Sequence, residues 1–209
     1  MIEILWADVS GLDESGAAFE LSEYRRERLV GVKPPAARRA GIGAELLLRR
    51  ALRRYRPELP LPPRILCDEN GKPYLADCDL YFNLSHSGDF AACALSDAPV
   101  GLDIQALRAY QKKLTERFFA PEERLYIEKS KDKDAAFTEI WCRKESFIKA
   151  TGEGLRRELR SFSATPETEA LIHGETEFYL FSYALPDFYL SVCSPLPFPL
   201  IHIEKTELP

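Results

Sequence analysis

The chain has 209 residues, 45% hydrophobic and 29% charged, with a formal net charge of −5. That is enough to bury a full core, as one large domain or two small ones. No run approaches the ~18 apolar residues of a membrane span, and the start Met1-Ile2-Glu3 carries acid where a secretory signal needs base.

In chain order, residues 2–8 alternate like a strand. A basic helix near 22–31 follows, then a long helix near 38–56 with Ile42, Leu46, Leu47 and Leu52 at helical spacing, stopped before Pro57. Between residues 25 and 56 there are eleven Lys/Arg against two acids, Glu27 and Glu45. A basic lobe on an acidic protein suits a polyanionic ligand or an acidic partner surface. Nucleic acid is disfavoured by the lack of interleaved aromatics and a pI of about 5.4. A solvated helix face is the plainer reading for Arg49, Arg50, Arg53 and Arg54. Pro60-Leu61-Pro62-Pro63 is a rigid connector and Asn70-Gly71-Lys72-Pro73 a turn, followed by strands over 80–84 and 90–95.

The second half opens with a strand over 99–104 and a helix beginning at Pro121-Glu122-Glu123. A solvated linker over 129–134 leads to a helix over 135–150, then strands near 161–164, 177–184 and 187–194. The Pro-rich tail from Pro195 reads as largely irregular. Five cysteines without a CxxC pair read as reduced thiols of a cytoplasmic protein, Cys67, Cys93 and Cys193 lying in apolar surroundings.

The chain repeats itself once. Glu27-Arg28-Leu29 recurs as Glu123-Arg124-Leu125, Asp89-Phe90 recurs as Asp187-Phe188, and Glu45 has a counterpart in Glu145, all at nearly one offset. The expectation is an α+β fold of two similar halves, 1–98 and 99–209, each a small sheet packed on helices.

Two segments carry the chemistry. Val100-Gly101-Leu102-Asp103-Ile104-Gln105 reads as a buried strand ending in an exposed carboxylate. Trp141-Cys142-Arg143-Lys144-Glu145-Ser146-Phe147-Ile148-Lys149 reads as a helix with a carboxylate and an ammonium on one face. Asp103 and Glu145 could meet across a strand–helix contact and hold a hard divalent cation, with Lys149 neutralising a phosphate on it. Oxygen ligands, an incomplete cage and a nearby cation suit Mg²⁺ with a phosphorylated substrate. Plainer readings are a turn at Gly-Leu-Asp and an ordinary i,i+4 surface pair between Glu145 and Lys149.

Phe82-Asn83-Leu84-Ser85-His86-Ser87-Gly88, Gly101-Leu102-Asp103 and Trp141-x-x-Lys144-Glu145-x-x-x-Lys149 together resemble the signature set of the large, Sfp-type 4′-phosphopantetheinyl transferases. The Asn70-Gly71-Lys72-Pro73 turn and the Thr151-Gly152-x-Gly154 loop are similar to the family's as well. The resemblance implies a monomeric pseudo-dimer of two α+β halves. It also implies transfer of the phosphopantetheine arm of coenzyme A to a serine of an apo acyl or peptidyl carrier protein, releasing 3′,5′-ADP.

The resemblance further implies Mg²⁺, or Mn²⁺, on Asp103 and Glu145, with Gln105 standing where many relatives carry a third acid. Lys149 would contact the pyrophosphate or assist proton removal. Glu123 would lie near the attacking serine, although Pro121 at the first helical position followed by acids is also ordinary capping. Arg39 and His86 would meet the 3′-phosphate and Ser85 the nucleotide phosphates. Arg25, Arg28, Lys72 and Lys144 are further candidate coenzyme contacts, while Trp141 reads as core. Apolar residues over 107–119 could dock a carrier helix. The competing class is a module that binds coenzyme A without turnover, suggested by Gln105 alone. A small trimeric synthase is disfavoured because one chain holds both halves.

Overall fold

The computed structural model describes residues 1–208. The first half contains β1 (Ile2–Asp8), α1 (Glu14–Ala17), α2 (Glu23–Leu29), α3 (Pro35–Tyr55), β2 (Ile65–Cys67), β3 (Pro73–Leu75), β4 (Tyr81–Ser87) and β5 (Phe90–Ser96). The second contains β6 (Gly101–Ala106), α4 (Lys112–Phe118), α5 (Pro121–Lys129), α6 (Lys133–Thr151), β7 (Ala170–His173), β8 (Thr176–Ala184), β9 (Phe188–Ser194) and β10 (Ile201–Lys205).

Two four-stranded sheets form, ordered β10-β1-β5-β4 and β6-β9-β8-β7, with β2 and β3 as a separate pair. Apart from the outer strands β10 and β7, the two are wired alike. The opening strand of each half lies antiparallel to the last strand of its closing hairpin, β1 with β5 and β6 with β9. The corners repeat too: Val9 N–H donates to the Asp89 carbonyl at 2.7 Å, and Leu107 N–H to the Asp187 carbonyl at 3.0 Å. The other markers sit in unlike surroundings. Glu27 is exposed where Glu123 is buried, and Glu45 is buried where Glu145 is half-buried.

Strand alternation explains the layering. Ile2 and Ile4 of β1, with Ala92 and Ala94 of β5, meet Leu102 and Ile104 of β6 and Leu190 and Val192 of β9 in one core between the sheets. The outer face of the first sheet packs on α3 through Leu47, Leu48 and Leu52, and that of the second on α6 through Phe147 and Ile148. Each such fully buried aliphatic side chain contributes on the order of 1.5–3 kcal/mol. The result is a mixed α+β sandwich with a helix on each outer face.

Three expectations are corrected. The tail is not irregular throughout: beyond Pro199 it adds β10, parallel to β1, because Ile201 and Ile203 find apolar neighbours at an open sheet edge. Residues 161–164 form no strand, since side chains of α5 and α6 take up their backbone groups. Cys67 is exposed, whereas Cys93 and Cys193 are buried.

Candidate active site

The site starts from one glycine. Gly101 lies so close beneath α6 that a Cβ there would stand 2.1 Å from the Ser146 carbonyl oxygen and 2.2 Å from the Ala150 nitrogen. Asp103, two residues on, shares that face of β6. Glu145 and Lys149, one turn apart on α6, complete the group. Asp132 caps the N-terminus of α6 by accepting the Ala135 N–H, and Gly152 ends the helix at φ 75°, a left-handed conformation open to glycine.

Asp103 is 5% exposed, so the expected exposed carboxylate is in fact buried. Its Oδ1 accepts from the Lys149 ammonium at 2.5 Å and from the Ser85 hydroxyl at 2.8 Å, and Lys149 also donates to Ser85 Oγ at 2.9 Å. Lys149 therefore pairs across the strand–helix contact, and the reading of it as a plain i,i+4 surface ion is excluded. Its partner's other oxygen, Asp103 Oδ2, is buried with no hydrogen-bond partner among the described residues. Burial pushes the Glu145 carboxyl above the ordinary range; the charge of Asp103 adds to this, and Lys149 opposes it. Two carboxyl groups thus crowd together, one with an orphaned buried oxygen. That donor set fits a hard divalent cation.

Polar residues at alternate positions of β4 stitch its edge to β6. Asn83 Oδ1 accepts the Leu102 N–H at 2.9 Å, Ser85 Oγ accepts the Ile104 N–H at 3.2 Å, and the Gln105 amide donates to Ser87 Oγ at 2.7 Å. Side chains here replace a backbone ladder between the halves. Gln105 is engaged in that seam, a role that requires no metal. Asn83, Ser85 and Ser87 form a period-2 polar set within the motif over residues 82–88, in which sequence alone assigns no role to Asn83 or Ser87.

Beside this group opens a cleft of about 830 Å³, lined from the first half by the 70–73 turn and from the second by α6 and the loop after it. Lys72, Arg117, Lys149, Arg156, Arg157 and Arg160 face it against two acids, Glu145 and Glu158. The arginines after α6 form a basic run, Arg156-Arg157-x-x-Arg160, that the sequence reading passed over. Arg156 reaches Asn70 across the cleft mouth.

Lys72 spans the halves. Its ammonium donates to the Ala150 carbonyl at 2.8 Å and the Val100 carbonyl at 3.4 Å, at the negative end of α6. Burial lowers its pKa to about 8, against a raising influence from Asp68. An unfolded lysine titrates near ~10.4, so between pH 8 and that value the unfolded chain binds more protons than the folded one. Stability carried by this group therefore rises with pH across that window and is level below it. Urea unfolding of wild type and Lys72→Met should show the wild type gaining on the variant between those limits; parallel curves would refute the burial of this ammonium.

His86 lies on the other face of β4, and the expected arginines lie on α2 and α3. His86 is exposed in area, but desolvation by its neighbours holds its pKa below the usual value; Arg25 and Lys149 add to the lowering and Asp103 opposes it. Arg25 lies over the Tyr24 ring, as does the exposed Arg28. Arg39 is half-buried near the start of α3, with its Nε buried and unpartnered among the described residues.

Comparison with known proteins gives the family. The chain is 35% identical over 178 residues to the 4′-phosphopantetheinyl transferase psf-1 of Bacillus pumilus, covering 80% of this chain and 76% of that one. The chain belongs to the 4′-phosphopantetheinyl transferases. Residues 99–193 match the 4′-phosphopantetheinyl transferase superfamily. Identity to the transferase gsp of Aneurinibacillus migulanus is 34%, covering 78% of this chain and 70% of the relative. For AcpT of Salmonella typhimurium it is 33%, covering 83% and 86%.

Two residues that family resemblance placed at the site lie elsewhere. Glu123 and Lys144 are 0% and 1% exposed, neither lines the cleft, and they pair with each other at 2.6 Å. Glu123 also accepts the Ala164 N–H and the Ala120 N–H, both at 2.7 Å, and Lys144 donates to the Phe162 carbonyl at 2.7 Å. Burial pushes the Glu123 carboxyl up and the Lys144 amine down, and their mutual attraction opposes both shifts. Together with Arg143, which binds the Ala164 and Thr165 carbonyls, they hold the extended segment 162–165 against α6. That is why this segment needs no ladder, and why Glu123 is withdrawn as a base and Lys144 as a coenzyme contact.

The basic lobe is also less free than its composition suggests. Arg38 pairs with Glu14, Arg49 with Glu20, Arg54 with Glu3 and Glu204, and Arg56 with Glu58 and Asp79. Arg49 is buried, not part of a solvated face. Over residues 107–119, Leu107 is exposed while Phe119 is fully buried, and Trp141 packs on Phe118, Phe119 and Phe137. No helix among the described residues is long and apolar enough to cross a membrane.

Proposed function

We propose that this transferase moves the 4′-phosphopantetheine arm of coenzyme A onto a serine of an apo acyl or peptidyl carrier protein, releasing 3′,5′-ADP. The observation that carries the reading is the meeting of Asp103, Glu145 and Lys149 at the head of a basic cleft, with Asp103 Oδ2 buried and unpartnered. Asp103 and Glu145 would hold Mg²⁺ or Mn²⁺, which when bound neutralises charge on the pyrophosphate oxygens. Gln105, tied to Ser87, sits beside that pair as a seam residue.

The serine oxygen forms a bond to the β-phosphorus as the bond to the 3′,5′-ADP oxygen breaks, and the hydroxyl proton passes to solvent. Negative charge gathers on the leaving and equatorial oxygens, and fixed cations stabilise it most when they need not reorganise. Lys149 meets that condition, because Asp103 and Ser85 already hold its ammonium. Both cleft walls come from one chain, which supports activity as a monomer. In this division of labour the first half binds the nucleotide end and the second supplies the catalytic helix.

Arg39 and His86, with Arg25 and Arg28 behind them, would receive the 3′-phosphate. Loss of one charge-assisted contact costs about 1.5–3 kcal/mol. Arg39→Gln and His86→Ala should therefore weaken coenzyme A more than its 3′-dephospho analogue; equal losses would refute the placement. The reaction itself is tested by incubating the protein with apo carrier, coenzyme A and Mg²⁺. A carrier mass increase of one phosphopantetheine is expected, whereas bound coenzyme with an unmodified carrier would mean a module without turnover.

A further inference from the structure

We propose that Glu45 is a positioning residue that sets selectivity for the coenzyme's 3′-phosphate by fixing Arg25. The inference rests on the assignment of Arg25 and His86 to that phosphate. Glu45 sits mid-way along α3, fully buried, where a carboxylate is tolerated only with its oxygens satisfied. Its Oε1 accepts the Ser22 N–H, and its Oε2 accepts the Ser22 hydroxyl at 3.0 Å. The same Oε2 lies 3.5 Å from Arg25 Nε.

Ser22 is the N-cap of α2, and its Oγ accepts the Arg25 N–H at 3.2 Å. Glu45 thus acts on Arg25 twice: on its backbone through the Ser22 cap, and on its guanidinium as an ion pair without a hydrogen bond, Arg25 Nε being buried and unpartnered among the described residues. Gly41, one turn earlier on α3, borders the guanidinium, and a Cβ there would be in ordinary contact with Arg25 Nη1 at 3.5 Å. The Arg25 side chain is only 13% exposed, so its position is set by these contacts. Its positive charge contributes to holding the His86 pKa below the usual value. A buried acid that merely neutralised a surface arginine would not also hold the cap of that arginine's helix.

The test is the ratio of kcat/KM for coenzyme A to kcat/KM for 3′-dephospho-coenzyme A. Glu45→Gln keeps the shape and one acceptor but removes the charge. Released from its charged partner, Arg25 should lose part of a charge-assisted contact, and the ratio should fall by at least about threefold. Equal weakening of both coenzymes, or a lower melting temperature with an unchanged ratio, would make Glu45 purely structural and overturn the proposal. A ratio that rises, as charge relief of Arg25 would produce, also overturns it.

Arg25→Gln run alongside separates the two layers of inference. If the ratio collapses in Arg25→Gln but holds in Glu45→Gln, the positioning role alone fails. If it holds in both, the phosphate subsite is wrong and the proposal falls with it. Should Glu45→Gln prove insoluble, Ser22→Ala removes one donor to Glu45 and the cap of α2. A smaller fall in the same ratio supports the coupling, and an unchanged ratio overturns it.

Discussion

Gly101→Ala is expected to leave little correctly folded protein. The added methyl would meet backbone atoms, the Ser146 carbonyl oxygen at 2.1 Å and the Ala150 nitrogen at 2.2 Å, and neither can swing aside as a side chain would. Over-packing usually costs about 1–3 kcal/mol, and an overlap with backbone on this scale belongs at or above the top of that range. Because β6 and α6 would have to separate, Asp103 would also withdraw from Glu145 and Lys149. Soluble yield and urea midpoint measure the first effect. Whatever folds should retain little transferase activity. A Gly101→Ala variant with wild-type midpoint and rate would show that α6 does not rest on β6 as described.

Glu145→Gln should do the reverse, sparing the fold and removing the reaction. The side chain is half-buried and lines the cleft, and the substitution keeps its volume while removing its charge. Deleting one electrostatic element of a phosphoryl- or acyl-transfer site commonly costs about 10²–10³ in kcat. A loss of that size is expected at saturating coenzyme A and Mg²⁺, with a urea midpoint no lower than that of the wild type, because a buried carboxylate crowded by Asp103 is removed. Asp103→Asn should match it in rate. It should also lower stability, because it weakens the buried hydrogen bond from Ser85 and the ion pair to Lys149. Wild-type turnover in Glu145→Gln would remove the residue from the site.

Much of the frame was legible before any coordinates. Most of the expected strands and helices occur where periodicity placed them, because each needs only its own apolar spacing and its own breakers. The Asp89/Asp187 marker found the repeated corner, since the same hairpin turn receives the same N–H in both halves. Asp103, Glu145 and Lys149 were likewise visible, as strand period and one helical turn bring them together once β6 lies beneath α6. The markers Glu27/Glu123 and Glu45/Glu145 failed as equivalents because burial differs between the halves, and residue identity does not encode burial.

Sequence by itself thus determined most of the elements, the repeated corner and the meeting of Asp103, Glu145 and Lys149, all of which follow from local spacing and from a motif set specific to one family. Tertiary structure decided which polar groups face solvent and which face each other. It paired Lys149 with Asp103, withdrew Glu123 and Lys144 into a buried ion pair, neutralised much of the basic lobe with distant acids, and turned residues 201–205 into a strand. The reason is physical. An ionised side chain buried by packing must take its partner from whatever chain segment lies opposite, and a strand forms wherever an open edge offers unpaired N–H and C=O groups with an apolar face beside it.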